Sequence, residues 1–175
     1  MNACAIRKAV HTDARGVAEL QIAGWRDSYS KILSSEYLTE KIRTDRISHW
    51  QSVLTNIDKR EVTFVMESRG NLAGFICVKL AEDPFWGAYV DSLHVSEISR
   101  GKGAGKALLQ QAALWIQKRA PDSSVYLWVF EENRRAVAFY QNLGGKIVER
   151  TTSDMPNSNG APVLRISWMK AEQLV

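Results

Sequence analysis

Residues 100–105, RGKGAG, place three glycines and two basic side chains where a strand pattern gives way to a helix pattern. Glycine is a poor helix former, so its repeated use here indicates a backbone that approaches a partner closely or adopts a positive φ. The free N–H groups and the positive dipole end of a helix N-terminus bind phosphate groups. Arg100, Lys102 and Lys106 add positive charge for a ligand that carries several negative charges. The segment therefore predicts a pyrophosphate-binding turn.

Two common phosphate-binding patterns do not fit this segment. A P-loop aligned on the second Gly-Lys pair meets Arg100 where its first glycine belongs and Ala107 where it needs a hydroxyl. The dinucleotide pattern G-x-G-x-x-G lacks its third glycine from either possible start. The pattern [Q/R]-x-x-G-x-[G/A], in contrast, fits residues 100–105 at every position.

Together with its flanking segments, this pattern resembles the GNAT superfamily of acyl-CoA-dependent N-acyltransferases. VDSLHVSEISRGKGAG (90–105) is similar to the family's fourth strand and pyrophosphate loop, and VYLWVFEENRRAVAFYQNLGGK (125–146) to its fifth strand and fourth helix. The resemblance implies that acetyl-CoA is the acyl donor. The residues implied to bind it are Leu93, His94, Val95, Arg100, Gly101, Lys102, Gly103, Ala104, Gly105, Lys106, Asn133 and Tyr140.

The resemblance also implies roles for some of these residues. The family's fourth strand bulges and splays from the fifth, so backbone groups of Leu93, His94 and Val95 would pair with the pantetheine arm and polarise the thioester carbonyl. Asn133 would hydrogen-bond the cofactor, and Tyr140 would protonate the departing thiolate. Tyr140 follows Asn133 by two helical turns, which predicts that both lie on one helix face.

The acceptor amine must lose a proton before it can attack, because an alkylamine has a pKa of about 10.4. Many family members place a glutamate on the fourth strand as the base, but this chain has Tyr89 at that position. Asp91 follows two residues later, so strand alternation predicts that both side chains share a face, and Asp91 is our candidate for base or amine anchor. The same alternation predicts that His94 faces the other way. Glu131 and Glu132 are further carboxylates able to attract a cationic acceptor.

The N-terminal half carries a narrower likeness. GWRDSYSKILSSEYLTEKIRTDRISHW (24–50) is similar to a GNAT subgroup with Trp-x-x-x-Tyr at the end of the first helix and Tyr-Leu soon after. In the family, the loop after this helix walls the acceptor site. Trp25, Tyr29 and Tyr37 are therefore candidates for the acceptor pocket, together with Tyr89 and Asp91. The alternative interpretation of the three aromatic residues is a place in the core or in an interface.

Hydrophobic periodicity predicts the element order β-α-α-β-β-β-α-β-α-β-β. The predicted strands cover 4–10, 61–68, 72–81, 86–95, 123–130, 146–150 and a last strand from 163, and the predicted helices 11–29, 34–54, 105–120 and 132–144. Thr12 or Asp13 is predicted to cap the first helix and Ser34 or Ser35 the second. The β-α-β unit over 86–130 predicts a parallel strand pair. The fold class is thus one α/β domain, residues 1–175, with a mixed, mostly antiparallel sheet flanked by helices.

The net charge, the hydropathy and the cysteine content of the sequence exclude several kinds of partner and site. The net charge of +4 comes without a dense basic stripe, so no nucleic-acid partner is expected. No apolar run reaches 18 residues, so no membrane span is expected. Cys4 and Cys77 lack metal-ligand spacing, which predicts no metal site, and the chain lacks a signal-peptide pattern, which predicts a cytoplasmic location. Six tryptophans leave a homodimer open.

The sequence thus predicts an acetyl-CoA-dependent N-acetyltransferase that works by direct attack in a ternary complex. A small-molecule amine is the favoured acceptor, and a protein N-terminus or lysine is the alternative. A non-catalytic acyl-CoA sensor, which has lost its base at Tyr89, is the alternative from another class.

Overall fold

The computed structural model describes residues 5–56 and 58–175, and over this range the predicted order of elements is confirmed; Cys4, in the predicted first strand, lies outside it. The strands are β1 (Ala5–Lys8), β2 (Glu61–Ser68), β3 (Asn71–Asp83), β4 (Gly87–Val95), β5 (Val125–Phe130), β6 (Lys146–Thr152) and β7 (Pro162–Trp168). The helices are α1 (Ala14–Ser28), α2 (Ile42–Thr55), α3 (Ala104–Arg119) and α4 (Arg134–Asn142). None of the described helices is both long and apolar enough to cross a membrane.

The strands form one mixed sheet in the order β1-β2-β3-β4-β5-β7-β6. Every neighbouring pair is antiparallel except β4 and β5, which are parallel because α3 crosses between them. The predicted fold class is therefore confirmed.

The helix starts differ in part from the prediction. Ser34 caps the second helical segment as expected, because its Oγ accepts a backbone N–H at 3.3 Å. That segment begins with a π-helical turn, Tyr37–Lys41, before α2 proper. Of the two predicted caps of α1, Thr12 and Asp13, Asp13 occupies the N-cap position, but its carboxylate accepts the N–H of Val10 at 2.8 Å and pairs with Arg7 at 2.7 Å instead of capping the helix.

The two faces of the sheet are packed differently. On one face, α3 covers a single continuous core that runs from β2 to β7 and includes Val90, Leu108, Leu127 and Ile166. On the other face the apolar side chains form two separate clusters. One lies under α1 and α2 around Trp50 and Phe75, and the second joins the end of α1 to β5 and β7; the latter contains Ile22, Trp25, Ile32, Leu33, Tyr37, Leu38, Ile42, Phe130 and Val163.

Strand β4 is irregular around Asp91. Its pairing with β3 passes from Val78↔Val90 to Cys77↔Ser92, so Asp91 bulges out without a partner on β3. Its pairing with β5 stops after Tyr89, and beyond that residue the two strands diverge. The splayed strands open a cavity of about 760 Å³, which is lined by residues from both faces of the sheet, among them Val90 and Trp25.

Candidate active site

The cavity brings together nearly all of the residues predicted from the sequence. It is bounded by the end of α1, the second half of β4, the first turn of α3, the start of α4 and residues 151–155. The predicted residues that line it are Trp25, Tyr29, Tyr89, Asp91, Leu93, His94, Val95, Arg100, Gly101, Gly103, Ala104, Gly105, Lys106, Asn133 and Tyr140. Among the residues predicted to bind acetyl-CoA, Lys102 is the exception, because it is exposed and does not line the cavity.

The glycine segment forms an open cradle at the start of α3. Gly101 and Gly103 have φ values of 71° and 82°, and a Cβ placed on either would meet nothing within 4 Å. No side chain caps α3, and within the described part of the chain the backbone N–H groups of residues 101–106 find no acceptor. Unpaired N–H groups at a helix start with open space beside them fit a phosphate-bearing ligand.

We expect Gly103→Ala to weaken acetyl-CoA binding about 10-fold, since a Cβ at positive φ costs roughly 1–2 kcal/mol and shifts the cradle. Gly70→Ala is the matched control, because Gly70 has φ 77°, equally open surroundings and a place in the β2–β3 turn. Calorimetric titration and thermal melts measure both effects. We expect both variants to lose the same amount of stability and only Gly103→Ala to lose affinity for acetyl-CoA. Equal affinities of the two variants would contradict the role of the glycine segment in binding.

Three basic side chains stand at this end of the cavity. Arg100 donates to the Val95 carbonyl oxygen at 3.2 Å and to Asp27 Oδ2 at 2.6 Å, and Arg135 donates to the same oxygen at 3.2 Å. These hydrogen bonds, first from Arg100 and then from Arg135, lower the pKa of Asp27. Lys106 has no ion-pair partner among the described residues. Sequence reasoning missed Arg135, for which the only signal is its place in a basic pair after Asn133.

The bulge at Asp91 changes the strand alternation. Tyr89 stacks on Tyr126 with ring centroids 5.0 Å apart, and its hydroxyl stays protonated because burial and the Asp91 charge raise its pKa. His94 stacks on Phe75 at 5.4 Å, on the same side of the sheet as Asp91. The prediction that His94 faces away from Asp91 is therefore wrong, because the extra residue shifts the alternation by one.

His94 itself is a poor candidate for a base. Its ring lies against α1, where a Cβ on Gly24 would come within 2.6 Å of Nδ1. Burial lowers the pKa of His94 to about 4, and the nearby Arg100 acts in the same direction. The imidazole is consequently neutral at pH 7 and binds a proton only weakly.

Asp91 presents a fixed carboxylate to the cavity. Oδ1 accepts from Lys79 Nζ at 3.2 Å, and Oδ2 accepts from Ser92 Oγ at 3.0 Å. The side chain keeps 23% of its surface exposed. Burial lowers the pKa of Lys79, but the charge of Asp91 and its hydrogen bond outweigh this, so the net shift is upward. The pair therefore fixes the carboxylate of Asp91 and leaves one side of it open to the cavity.

Tyr140 and Asn133 lie together on the α4 side of the cavity, as predicted from their spacing. Burial raises the pKa of the Tyr140 phenol, and the neighbouring Tyr29 adds to the shift. Asn133 Oδ1 accepts the backbone N–H of Ala136 at 3.3 Å, so Asn133 also caps α4. Burial raises the pKa of Tyr29 as well, opposed by a hydrogen bond with Asn133. The arrangement gives a phenol that keeps its proton.

The other end of the cavity has aromatic walls. The ring of Tyr29 lies 6.0 Å from that of Trp25 and 5.0 Å, edge-on, from that of Phe130. Trp128 and Met155 complete the wall. Sequence reasoning missed Trp128 and Phe130, although their alternation along β5 could have placed them on one face.

Three further candidates do not line this cavity. Tyr37 packs 6.4 Å from the ring of Trp25 and donates its hydroxyl to Asp45, so it supports the wall from behind. Burial, followed by the hydrogen bond to Asp45, raises the pKa of Tyr37 to about 12. Glu131 pairs with Arg150 at 2.8 Å, and Glu132 lines a separate cavity of about 220 Å³. The described residues contain no group of three His, Cys, Asp or Glu side chains placed to hold a metal ion.

The splayed parallel strands beside a glycine-rich helix start suit a long thioester with a phosphate end, and this fold and cavity define the class of N-acyltransferases. The model of the acetyltransferase (GNAT) family matches residues 22–144, and the chain belongs to this family. Its enzyme class, an acyltransferase that uses acetyl-CoA as donor, is therefore confirmed.

Individual relatives agree with this assignment. The chain is 25% identical over 138 residues to the uncharacterized N-acetyltransferase YuaI of Bacillus subtilis, covering 78% of this chain and 76% of that protein. It is 29% identical over 111 residues to the peptidyl-lysine N-acetyltransferase YiaC of Escherichia coli, covering 63% and 66%. The structure of the PaiA N-acetyltransferase from Thermoplasma acidophilum in complex with coenzyme A superimposes with a TM-score of 0.70 at 23% identity, covering 95% and 99%.

Proposed function

We propose that the protein acetylates the primary amine of a small cationic molecule that has an apolar body. The charge distribution of the cavity carries this proposal. Arg100, Lys106 and Arg135 stand at the glycine-rich end, whereas the aromatic end has the carboxylates Asp91 and Asp154 and no basic lining residue among those described. Such a cavity attracts a polyanionic donor at one end and a protonated amine at the other.

The aromatic walls supply the rest of the acceptor site. Trp25, Tyr29, Trp128 and Phe130 offer apolar surface for a hydrocarbon or ring, and aromatic faces also attract an ammonium group. Residues 151–155 border this end, and their loop is tied to the segment after α1 by a hydrogen bond of 3.0 Å from the Ser34 N–H to the Asn157 oxygen. The enclosure favours a small acceptor.

The reacting groups fit direct transfer in a ternary complex. Acetyl-CoA supplies an activated acyl group. Asp91 anchors the ammonium and accepts its proton, which frees the amine for attack. Tyr140 holds a proton ready for the leaving sulfur. Beyond Tyr89, β4 has no partner on β5, so the N–H groups of residues 93–95 that point toward β5 and not toward β3 can polarise the carbonyl.

A protein lysine is the second candidate acceptor. The likeness to YiaC, a peptidyl-lysine N-acetyltransferase, supports it. The smaller cavity beyond Phe130, which is lined by Lys31 and Glu132 among others, offers room for a longer chain.

A panel of acceptors separates the two candidates. The protein is incubated with acetyl-CoA and with diamines, arylalkylamines, amino acids or lysine-containing peptides, and release of free thiol is followed. Turnover confined to small cationic amines is the expected result. Turnover with peptides alone would replace the small molecule by a protein acceptor, and stabilisation by acetyl-CoA in thermal melts without any turnover would favour a sensor.

Asp154→Asn is expected to raise KM for a dicationic acceptor about 3- to 10-fold and to leave kcat nearly unchanged. Asp154 lines the cavity, is exposed and has no ion-pair partner among the described residues, so its charge acts on binding alone. Asp122→Asn, an exposed carboxylate away from the cavity, is the matched control. Steady-state kinetics with a diamine and a monoamine test this, and equal effects on both substrates would contradict the assignment.

Three conclusions from the sequence stay predictions: one domain over residues 1–175, a cytoplasmic location, and no membrane or nucleic-acid partner. A homodimer also stays open, and light scattering on the purified protein would decide it.

A further inference from the structure

We infer that Gln21 is a positioning residue for the Asp91 carboxylate, that it acts through Ser92, and that Trp50 holds it in place. The inference rests on the proposed role of Asp91. It concerns side chains from three elements, α1, α2 and β4. Neither Gln21 nor Trp50 carries any role in the chemistry described so far.

A chain of hydrogen bonds connects these four side chains. Trp50 Nε1 donates to Gln21 Oε1 at 2.8 Å, and Gln21 Nε2 donates to Ser92 Oγ at 3.3 Å. Ser92 Oγ donates to Asp91 Oδ2 at 3.0 Å. Trp50, Gln21 and Ser92 are 0%, 2% and 9% exposed, so water does not compete for these bonds. The chain thus leads from the core under α2 to the cavity.

The direction of the chain follows from the chemistry of its first member. An indole N–H can only donate, so Gln21 must turn its amide oxygen to Trp50 and its NH₂ to Ser92. The Ser92 hydroxyl, which accepts from Gln21, is left with its hydrogen for Asp91. Each group therefore donates toward the carboxylate, which fixes the orientation of the carboxylate.

The bulge explains why such a support is needed. Asp91 has no residue opposite it on β3, and β4 has already left β5 at this point. The strand ladder therefore does not set the direction of the Asp91 side chain. Ser92 and Lys79 are the two side chains that hydrogen-bond it in the described structure, and Gln21 in turn holds Ser92.

Kinetics on variants test the inference. Gln21→Leu and Trp50→Phe are each expected to lower kcat/KM for the amine, by about 10-fold at Gln21 and less at Trp50, while KM for acetyl-CoA stays the same. In an Asp91→Asn background, Gln21→Leu is expected to change kcat/KM less than about 2-fold, because the group it positions is gone. Thr63→Val, which removes another buried hydroxyl on the same face of the sheet, is the control.

An NMR measurement keeps the test independent of turnover. The indole N–H resonance of Trp50, assigned by its loss in Trp50→Phe, is expected to move in Ser92→Ala and in Asp91→Asn, and to stay in Thr63→Val. If no amine is acetylated, the proposed function fails, but this resonance still reports whether the four side chains are coupled.

Three results would overturn the inference. One is equal loss of activity on Gln21→Leu in the wild-type and Asp91→Asn backgrounds, which would mean a general loss of stability. Another is a rise in KM for acetyl-CoA that is as large as the fall in kcat/KM for the amine. The third is an indole N–H resonance of Trp50 whose chemical shift is the same in Ser92→Ala, in Asp91→Asn and in the wild type. Trp50→Phe keeps the aromatic ring, so it stays informative if Gln21→Leu does not fold.

Discussion

Tyr140→Phe is expected to lower kcat about 100-fold and to leave KM for acetyl-CoA nearly unchanged, because it removes a proton donor and keeps the ring. The ring packs against Phe139 and Trp168 at 5.2 and 6.2 Å, contacts that phenylalanine preserves. Burial raises the pKa of Tyr140, so in the wild type kcat should not fall through ionisation of this group below pH 10. Steady-state thiol release across pH measures both quantities.

Tyr126→Phe is the matched control for this prediction. Tyr126 stacks on Tyr89 beside the cavity but does not line it. Its variant should keep kcat within about 2-fold of the wild type. A Tyr140→Phe enzyme with full kcat would show that sulfur leaves without help from the phenol, and a rise in KM for acetyl-CoA alone would give Tyr140 a binding role.

Asp91→Asn is expected to lower kcat/KM for the amine about 100-fold near pH 7. Without the carboxylate only amine that is already neutral reacts, and this fraction rises about tenfold per pH unit below a pKa of about 10.4. The loss should therefore shrink as pH increases. His94 does not substitute, since its lowered pKa of about 4 keeps it a weak base. A pH–rate profile of both proteins with one amine is the measurement.

Glu131→Gln serves as the control carboxylate, since Glu131 pairs with Arg150 outside the cavity. If the pH–rate profile of Asp91→Asn coincides with that of the wild type, Asp91 has no part in the mechanism. A constant loss at every pH would make Asp91 an anchor for the ammonium and not a base.

Local chemistry explains why the sequence could predict that the glycine segment and the start of α4 would face one cavity. The pattern of residues 100–105 depends on glycine backbone freedom and on a helix start, both of which are set within a few residues. The spacing of Asn133 and Tyr140 likewise depends only on helix geometry. The structure accordingly places both sets on one cavity.

The resemblance implied a bulge in the fourth strand, but its position at Asp91 and the side chains that support Asp91 could not be predicted from local chemistry. A bulge is defined by pairing with a second strand, here β3, and the residue types at positions 90–92 do not predict where it lies. The error over His94 follows directly. Gln21 and Trp50 belong to two different helices, so their contact depends on how α1 and α2 pack against each other.

The unequal packing of the two sheet faces has a mechanical consequence. On the α3 side, one continuous apolar core includes residues of both β4 and β5, such as Val90 and Leu127, whereas the apolar side chains of the opposite face are divided into two clusters. β4 and β5 therefore share apolar packing on the α3 side but not on the opposite face. Leu108 and Ile116, both fully buried, contribute to that packing from α3. Apolar side chains away from the substrates thus help to hold together the two strands that flank the cavity.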